Sequence, residues 1–288
     1  MSAPASSVRR AYADGPHGQV HYRRAGDPAR PALMLLHMSP QSSRSFAAVM
    51  PRLAAAGRFV VAPDYPGYGE SDPVPDGERV TVEAYAESAW AVADALGLGP
   101  LDLAGHHTGS KVAVEMAHAR PGDVRALLLI AVGLLTPEEQ ARHEGAFTPV
   151  PLDEAGTRFR RLWDLFAQHK GPGMTLAHRA EAFAEAQRGG EGYEAGHHAA
   201  FAYNAVFETR ARDLDHPVTV LNPKDDLWTI TPRAARVFRR AWVEDHPEWG
   251  HGFLGAYPDD AARAILDGLP PTDLPPHHGE PSRSEATD

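Results

Sequence analysis

Leu101-Asp102-Leu103-Ala104-Gly105-His106-His107-Thr108-Gly109-Ser110 is the stretch of this chain with the clearest chemical content. A short apolar run ends in G-x-H-x-G, and a helical pattern starts directly behind it. Glycines two residues to either side of His107 leave room where a strand and a helix meet at close range. The side chain at the tip of such a turn is presented at the end of a sheet, beside the free N–H groups that open the helix. An imidazole placed there needs no activation. Its reference pKa of about 6.5 leaves the neutral, nucleophilic form dominant near neutrality. Attack on an activated acyl group, polarisation of a substrate and proton transfer on carbon are all within its chemistry. Ser110 lies three residues past the tip, already in the helix, and is not expected to act as a nucleophile. His106 precedes the tip and, by strand alternation, is expected to face away from His107 and to pack.

The elements that must hold this turn follow from hydrophobic patterning. Ala32–His37 (ALMLLH) is a continuous apolar run, as in a strand covered on both faces, Phe59–Ala62 and Val124–Ile130 read as further buried strands, and Leu101–Ala104 as another strand. Helical patterns at Ser45–Ala56, Thr81–Leu96 and Ser110–Ala119 lie between them, so a mostly parallel sheet with helices on both faces is expected. Gln19–Arg24 reads as an early edge strand. Residues 1–16 are small and polar and read as a flexible N-terminus. From Thr136 to Asp215 the strand rhythm stops. Amphipathic helices at Phe159–His169, Leu176–Gln187 and His197–Arg210 replace it, and strand pattern resumes at Pro217–Leu221. Residues 136–215 are therefore expected to form a helical lid at the sheet edge where open α/β folds bind ligands. Residues 17–135 and 216–269 form the core, ending in a helix at Asp259–Leu269. Residues 270–288 are too rich in Pro, charge and Ser to pack and read as a disordered tail.

Composition narrows the partners. The 288 residues include 38 acidic against 28 basic side chains, a net charge of −10 that opposes nonspecific binding to nucleic acid or to an anionic membrane. There is no cysteine, which excludes thiolate metal sites, disulfides and cysteine nucleophiles. The sixteen histidines show no H-E-x-x-H or comparable ligand spacing, so no metal is expected. No dinucleotide fingerprint or phosphate loop is present, and no cofactor is expected. The longest apolar stretch, Ala126–Leu135, is half a bilayer span. A cytoplasmic protein acting on a small molecule is the natural reading, with a homo-oligomer left open.

Taken with their order, four landmarks resemble the α/β-hydrolase family, in its lidded branch of esterases, C–C bond hydrolases, epoxide hydrolases and haloalkane dehalogenases. They are Leu36-His37-Met38-Ser39-Pro40, similar to H-G-x-P; Asp64-Tyr65-Pro66-Gly67-Tyr68-Gly69-Glu70-Ser71, similar to D-x-x-G-x-G-x-S; the turn at His107; and Gly250-His251-Gly252-Phe253 after Lys224-Asp225-Asp226-Leu227. The resemblance implies His251 as catalytic base and Asp226 as its orienting acid, with Asp225 the competitor. It implies the main-chain N–H groups of Ser39 and Thr108 as an oxyanion hole. Two positions depart from the pattern: Met38 stands where glycine is usual, and His107 where serine is.

Three mechanisms stay open. His107 attacks and forms an acyl-imidazole; or it positions the substrate while Asp226–His251 activates water; or the paired imidazoles serve a cofactor-independent lyase or isomerase. A non-enzymatic binding protein is the fourth reading. Met38, Trp163, Phe166 and Trp228 are the expected pocket walls, suited to an apolar substrate such as an ester or related carbonyl compound.

Overall fold

Alternation along the buried strands assigns each side chain to one face of a sheet. In the computed structural model, which describes residues 7–75 and 79–271, β3 (Ala32–Leu36) sends Met34 and Leu36 into one core and Leu33 and Leu35 into the other. β4 (Phe59–Pro63) divides in the same way, Phe59 and Val61 against Val60 and Ala62. So does β6 (Val124–Ile130), with Leu127 and Leu129 opposite Leu128 and Ile130. A strand covered on both faces has no polar side, which is why these runs lack alternation.

With β1 (Arg9–Gly15), β2 (Gly18–Ala25), β5 (Leu101–His106), β7 (Val218–Pro223) and β8 (Ala241–His246), they form one sheet in the order β1-β2-β4-β3-β5-β6-β7-β8. β1 and β2 pair antiparallel, as do β2 and β4, and all other pairs are parallel. The mostly parallel α/β architecture expected from the pattern is present. One face is covered by α2 (Val82–Ala95) and α3 (Thr108–Ala119), the other by α1 (Met50–Ala55) and α9 (Pro258–Asp267). Thr81 caps α2, its Oγ1 accepting from the Ala84 N–H at 3.1 Å.

The N-terminal expectation is corrected. Residues 9–15 are the edge strand β1, paired residue by residue with β2, which places β2 inside the sheet instead of at its edge. Only Ala13 of β1 is buried, so the strand is made by backbone pairing and carries no apolar signature. The tail expectation for 270–288 falls almost wholly outside the described residues.

Between β6 and β7 the chain supplies helices and no strand: α4 (Pro137–Ala146), α5 (Thr157–Gln168), α6 (Leu176–Ala186), α7 (Ala195–Ala202) and α8 (Asn204–Asp213). They do not all do the same work. Phe207 and Ala211 of α8 are fully buried in the core face shared with α2 and α3. α5, α6 and α7 instead reach over the C-terminal ends of the strands. Gln41 Nε2 donates to the Ala182 carbonyl at 3.1 Å, Ser42 Oγ to Glu185 at 2.5 Å, and the Gly196 N–H to Tyr68 Oη at 2.8 Å. No helix among the described residues is long and apolar enough to cross a membrane.

Candidate active site

Two close approaches shape the turn between β5 and α3. A Cβ on Gly105 would run into the Gly109 carbonyl, and one on Gly109 into the Leu36 carbonyl, so neither position tolerates a side chain. Between them His107 sits at φ 51°, ψ −113°, a conformation that costs a non-glycine residue about 1–3 kcal/mol. The turn is pinned from below: the His107 N–H donates to the Ile130 carbonyl at 2.9 Å. Ser110 Oγ lies 2.8 Å from the Gly105 carbonyl and 3.1 Å from that of Ile130, fully buried inside the turn. Ser110 is a strut for the turn and presents no hydroxyl to the cavity.

The loop carrying Met38 needs no glycine there, because Met38 keeps a negative φ. His37 holds it. Its Nε2 accepts the Tyr65 N–H at 3.0 Å, so Nδ1 carries the proton and donates to the Met38 carbonyl at 2.9 Å. Burial pushes the His37 imidazole down to about 4, which keeps it neutral in this role. The loop thus brings Ser39 beside the helix start, its N–H donating to Thr108 Oγ1 at 3.4 Å.

Two Asp–His pairs converge on the turn. His107 Nε2 and Asp225 Oδ2 are 2.8 Å apart, and so are His251 Nε2 and Asp226 Oδ1. The two rings lie 5.4 Å apart. Asp225 is nearly sealed, its side chain 1% exposed and its other oxygen accepting the Leu227 N–H at 2.8 Å, while Asp226 is 36% exposed and lines the cavity. In a Ser-His-Asp triad the acid holds Nδ1 and leaves Nε2 for the nucleophile. Here each carboxylate holds an Nε2.

The charges follow from this pairing. Burial alone would lower the His107 pKa, but the charge and hydrogen bond of Asp225, with the charge of Asp226 behind them, raise it above the usual imidazole value. Burial would raise Asp226, yet its hydrogen bond to His251 and the charge of His107 hold it well below the usual carboxylate range. His106, beside them, is driven far down by burial and then by the charge of His107, and is neutral. The four groups His107, Asp225, Asp226 and His251 bring one donor atom each within 4.8 Å of one another, a donor set fit for a divalent cation.

A cavity of about 570 Å³ opens above these groups. Met38 and Phe166, two of the four residues read from the sequence as pocket walls, line it together with Ser39 and Thr108. Trp163 and Trp228 do not. Trp163 stands edge-on to Phe183 at 5.3 Å with the Arg179 guanidinium 4.1 Å above it, and Leu165 and Phe166 take the inner face of α5. Trp228 is turned away by the tight turn after Asp226, and Leu227 forms the wall instead. His106 packs edge-on against Phe253, ring centres 5.8 Å apart, and also reaches the cavity.

Other lining residues were not apparent from the sequence. The helical segment contributes His143, His169, His178 and His197, so histidines dispersed along the chain are gathered around one space. The His169 ring is 5.2 Å from that of His251. Lys111, one turn into α3 from His107, is 5% exposed, and its Nζ donates to the Ala200 carbonyl at 2.6 Å and to Asn204 Oδ1 at 2.5 Å.

Residues 31–226 match the family described as alpha/beta hydrolase fold, some two thirds of the chain. The chain belongs to the alpha/beta hydrolase fold family. Within it, the chain is 30% identical over 227 residues to haloalkane dehalogenase 1 of Mycobacterium tuberculosis, covering 79% of this chain and 67% of that protein. It is 32% identical over 174 residues to the 2-hydroxymuconate semialdehyde hydrolase of a Pseudomonas species, covering 58% of each. With the haloalkane dehalogenase of Mycobacterium marinum it shares 34% over 134 residues, 46% of this chain, and spans less than half (44%) of that relative's length. Among solved structures, Cfl2 of Burkholderia cenocepacia superposes with a TM-score of 0.77 at 21% identity, covering 93% of this chain and 97% of that one. The enol-lactonase of Burkholderia xenovorans gives 0.74 at 17%, covering 90% and 99%. At these identities the structural likeness carries the alpha/beta hydrolase fold and nothing finer.

Proposed function

We propose that this protein hydrolyses an ester or related carbonyl group of a small molecule with a largely apolar body. The observation that carries the reading is the pair of Asp–His contacts, each at 2.8 Å, on the floor of the cavity. Phe147, Phe166, Phe201 and Leu135 provide apolar wall, and the helices above close the space as a lid.

Asp226 accepts the Nε2–H of His251 and thereby leaves the Nδ1 lone pair of that ring as the base. Nδ1 removes a proton from water as the water oxygen bonds to the carbonyl carbon. The carbonyl π pair moves to oxygen, where the Ser39 and Thr108 N–H groups receive the developing charge. The oxyanion pair then re-forms the carbonyl as the bond to the leaving oxygen breaks, the His251 imidazolium protonates that oxygen, and both rings return to their starting states. His107 is not the attacking group in this scheme. Its Nε2 is held by Asp225 and its pKa is raised, so it supplies positive charge beside the oxyanion. The relatives named haloalkane dehalogenase 1 and 2-hydroxymuconate semialdehyde hydrolase fit a hydrolytic site in this fold, and support the class of reaction without naming the substrate.

The test is a screen of 4-nitrophenyl esters, lactones, vinylogous diketones and epoxides with wild type, H251A and H107A. Turnover of a carbonyl substrate that H251A abolishes and H107A reduces by about 10²–10³-fold is expected. Full activity in H251A removes the proposed base. Proton exchange on carbon without hydrolysis would move the assignment to a lyase or isomerase, and ligand binding without any turnover to a binding protein.

A further inference from the structure

Lys111 is a buried lysine with no role in the hydrolytic scheme. It lies on the inner face of α3, four residues after His107, and lines the same cavity. Its two acceptors, the Ala200 carbonyl and Asn204 Oδ1, are both neutral. The Asn204 side chain is oriented for this by its Nδ2, which donates to Gln140 at 3.1 Å. No carboxylate of the described residues acts on Lys111: burial alone accounts for its lowered pKa of about 7. The carboxylate one turn along α3, Glu115, is engaged by Arg210 and by Tyr203 Oη. An ammonium group taken out of water without a counter-ion is unfavourable, and an ammonium has three protons to donate where the protein accepts two. Beyond these two acceptors Nζ faces the ring of Phe207 at 6.0 Å, and no third acceptor for it is found among the described residues.

We propose that Lys111 receives a carboxylate group of the substrate, so that the molecule acted on is a small carboxylic acid with its reacting carbonyl one helical turn away, at His107. His107 immediately precedes α3 and Lys111 lies in its first turn, which sets the carboxylate apart from the reacting carbonyl within the substrate. The carboxylate supplies the missing counter-ion, and the acceptors already in place hold the ammonium without neutralising it. Because the Ala200 carbonyl belongs to α7, the same lysine joins the substrate to a helix that reaches over the strand ends. The inference takes from the proposed function only that this cavity receives the substrate, and its test needs no turnover.

The experiment is calorimetric binding of two unreactive probes, 4-phenylbutyrate and its neutral isostere 4-phenylbutyramide, to the full-length protein. Wild type is expected to bind the carboxylate about ten- to a hundredfold more tightly than the amide, the range for one charge-assisted contact. Lys111→Met should lose that preference while its amide affinity stays the same. Asn204→Asp provides a second arm that keeps the lysine. It places an internal carboxylate on Nζ and should also remove the preference. Equal affinity of wild type for the two probes, no binding of either, or a preference that persists in K111M or N204D would overturn the proposal. Loss of hydrolysis in H251A with the carboxylate preference intact would leave it standing, and a failed ester screen would not touch it.

Discussion

Replacing Asp225 by asparagine separates the two roles open to His107. The substitution is nearly isosteric, and the asparagine oxygen can still accept the Leu227 N–H that Asp225 accepts at 2.8 Å. What it removes is the charge facing His107 and the charge-assisted bond at 2.8 Å. Such a bond is worth about 1.5–3 kcal/mol, which corresponds to roughly one to two pKa units on the imidazole. With that support gone, burial dominates and His107 becomes neutral. In the proposed mechanism the protonated ring is the useful one, and activity falls as pH rises through its raised pKa. D225N should therefore move the alkaline limb of kcat/KM down by about one to two units and lower the rate at neutral pH by about 10²-fold or more. If the neutral ring were a nucleophile, the same mutation would enlarge the active form and shift the acid limb downward instead. A pH–rate profile of wild type and D225N on one activated ester decides. Unchanged or increased activity of D225N at pH 7, with no shift of the alkaline limb, refutes the assignment of His107 as a cation.

Acid should destabilise the fold through buried neutral imidazoles. His37 and His197 are depressed by burial to about 4 and about 3, and His106 lies far down as well. The unfolded chain takes up these protons near pH 6.5, before the folded one does, so stability is lost as pH falls from there toward 4. Thermal unfolding at pH 7 and pH 5 checks this, and an equal Tm at both would contradict it. Ser110→Ala removes the buried bonds to the Gly105 and Ile130 carbonyls and should cost about 1–2 kcal/mol in a denaturant titration, with turnover within about twofold of wild type. A dead S110A that folds normally would return Ser110 to the list of nucleophiles. Gly105→Ala or Gly109→Ala should be worse, about 1–3 kcal/mol or more, since each Cβ meets backbone and not a movable side chain. Each Nε2 of the His–Asp cluster already has a carboxylate partner at 2.8 Å. Exhaustive treatment with EDTA is accordingly expected to leave activity unchanged, and loss of activity restored by zinc or manganese would make the four groups metal ligands.

What the sequence disclosed, and what it withheld, follows one physical line. β3, β4 and β6 were legible because strands covered on both faces are largely apolar, and Val124–Ile130 has the same bounds in both views; β5 (LDLAGH) carries a buried Asp102 that Arg58 and Arg125 pair. α2 was legible through its helical pattern over Thr81–Leu96, which the structure places at Val82–Ala95. β1 and β8 were not, because edge strands are assembled by backbone hydrogen bonds and bury little. β1 is RRAYADG with one buried residue, and β8 is AWVEDH with none. The turn at His107 was legible because only glycine fits at 105 and 109. The second Asp–His pair was not, since adjacent carboxylates on a loop give no hint that each will take its own imidazole. Nothing in the pattern of α3 singles out Lys111, because only the packing of α7 and α8 on α3 buries it. The tryptophans failed for the converse reason: size suggested pocket walls, but a rotation of about half a turn on a helix or loop decides which way a ring points.

Rapid-quench intact-mass measurement on an ester found to be turned over tests the central claim most directly. Direct activation of water by Asp226–His251 predicts protein of unchanged mass at every time from the first turnover to steady state, with no burst of leaving group in wild type. A burst matched by a protein species heavier by one acyl group, mapping to the peptide that contains His107 and absent in H107A, would contradict it and make His107 the nucleophile.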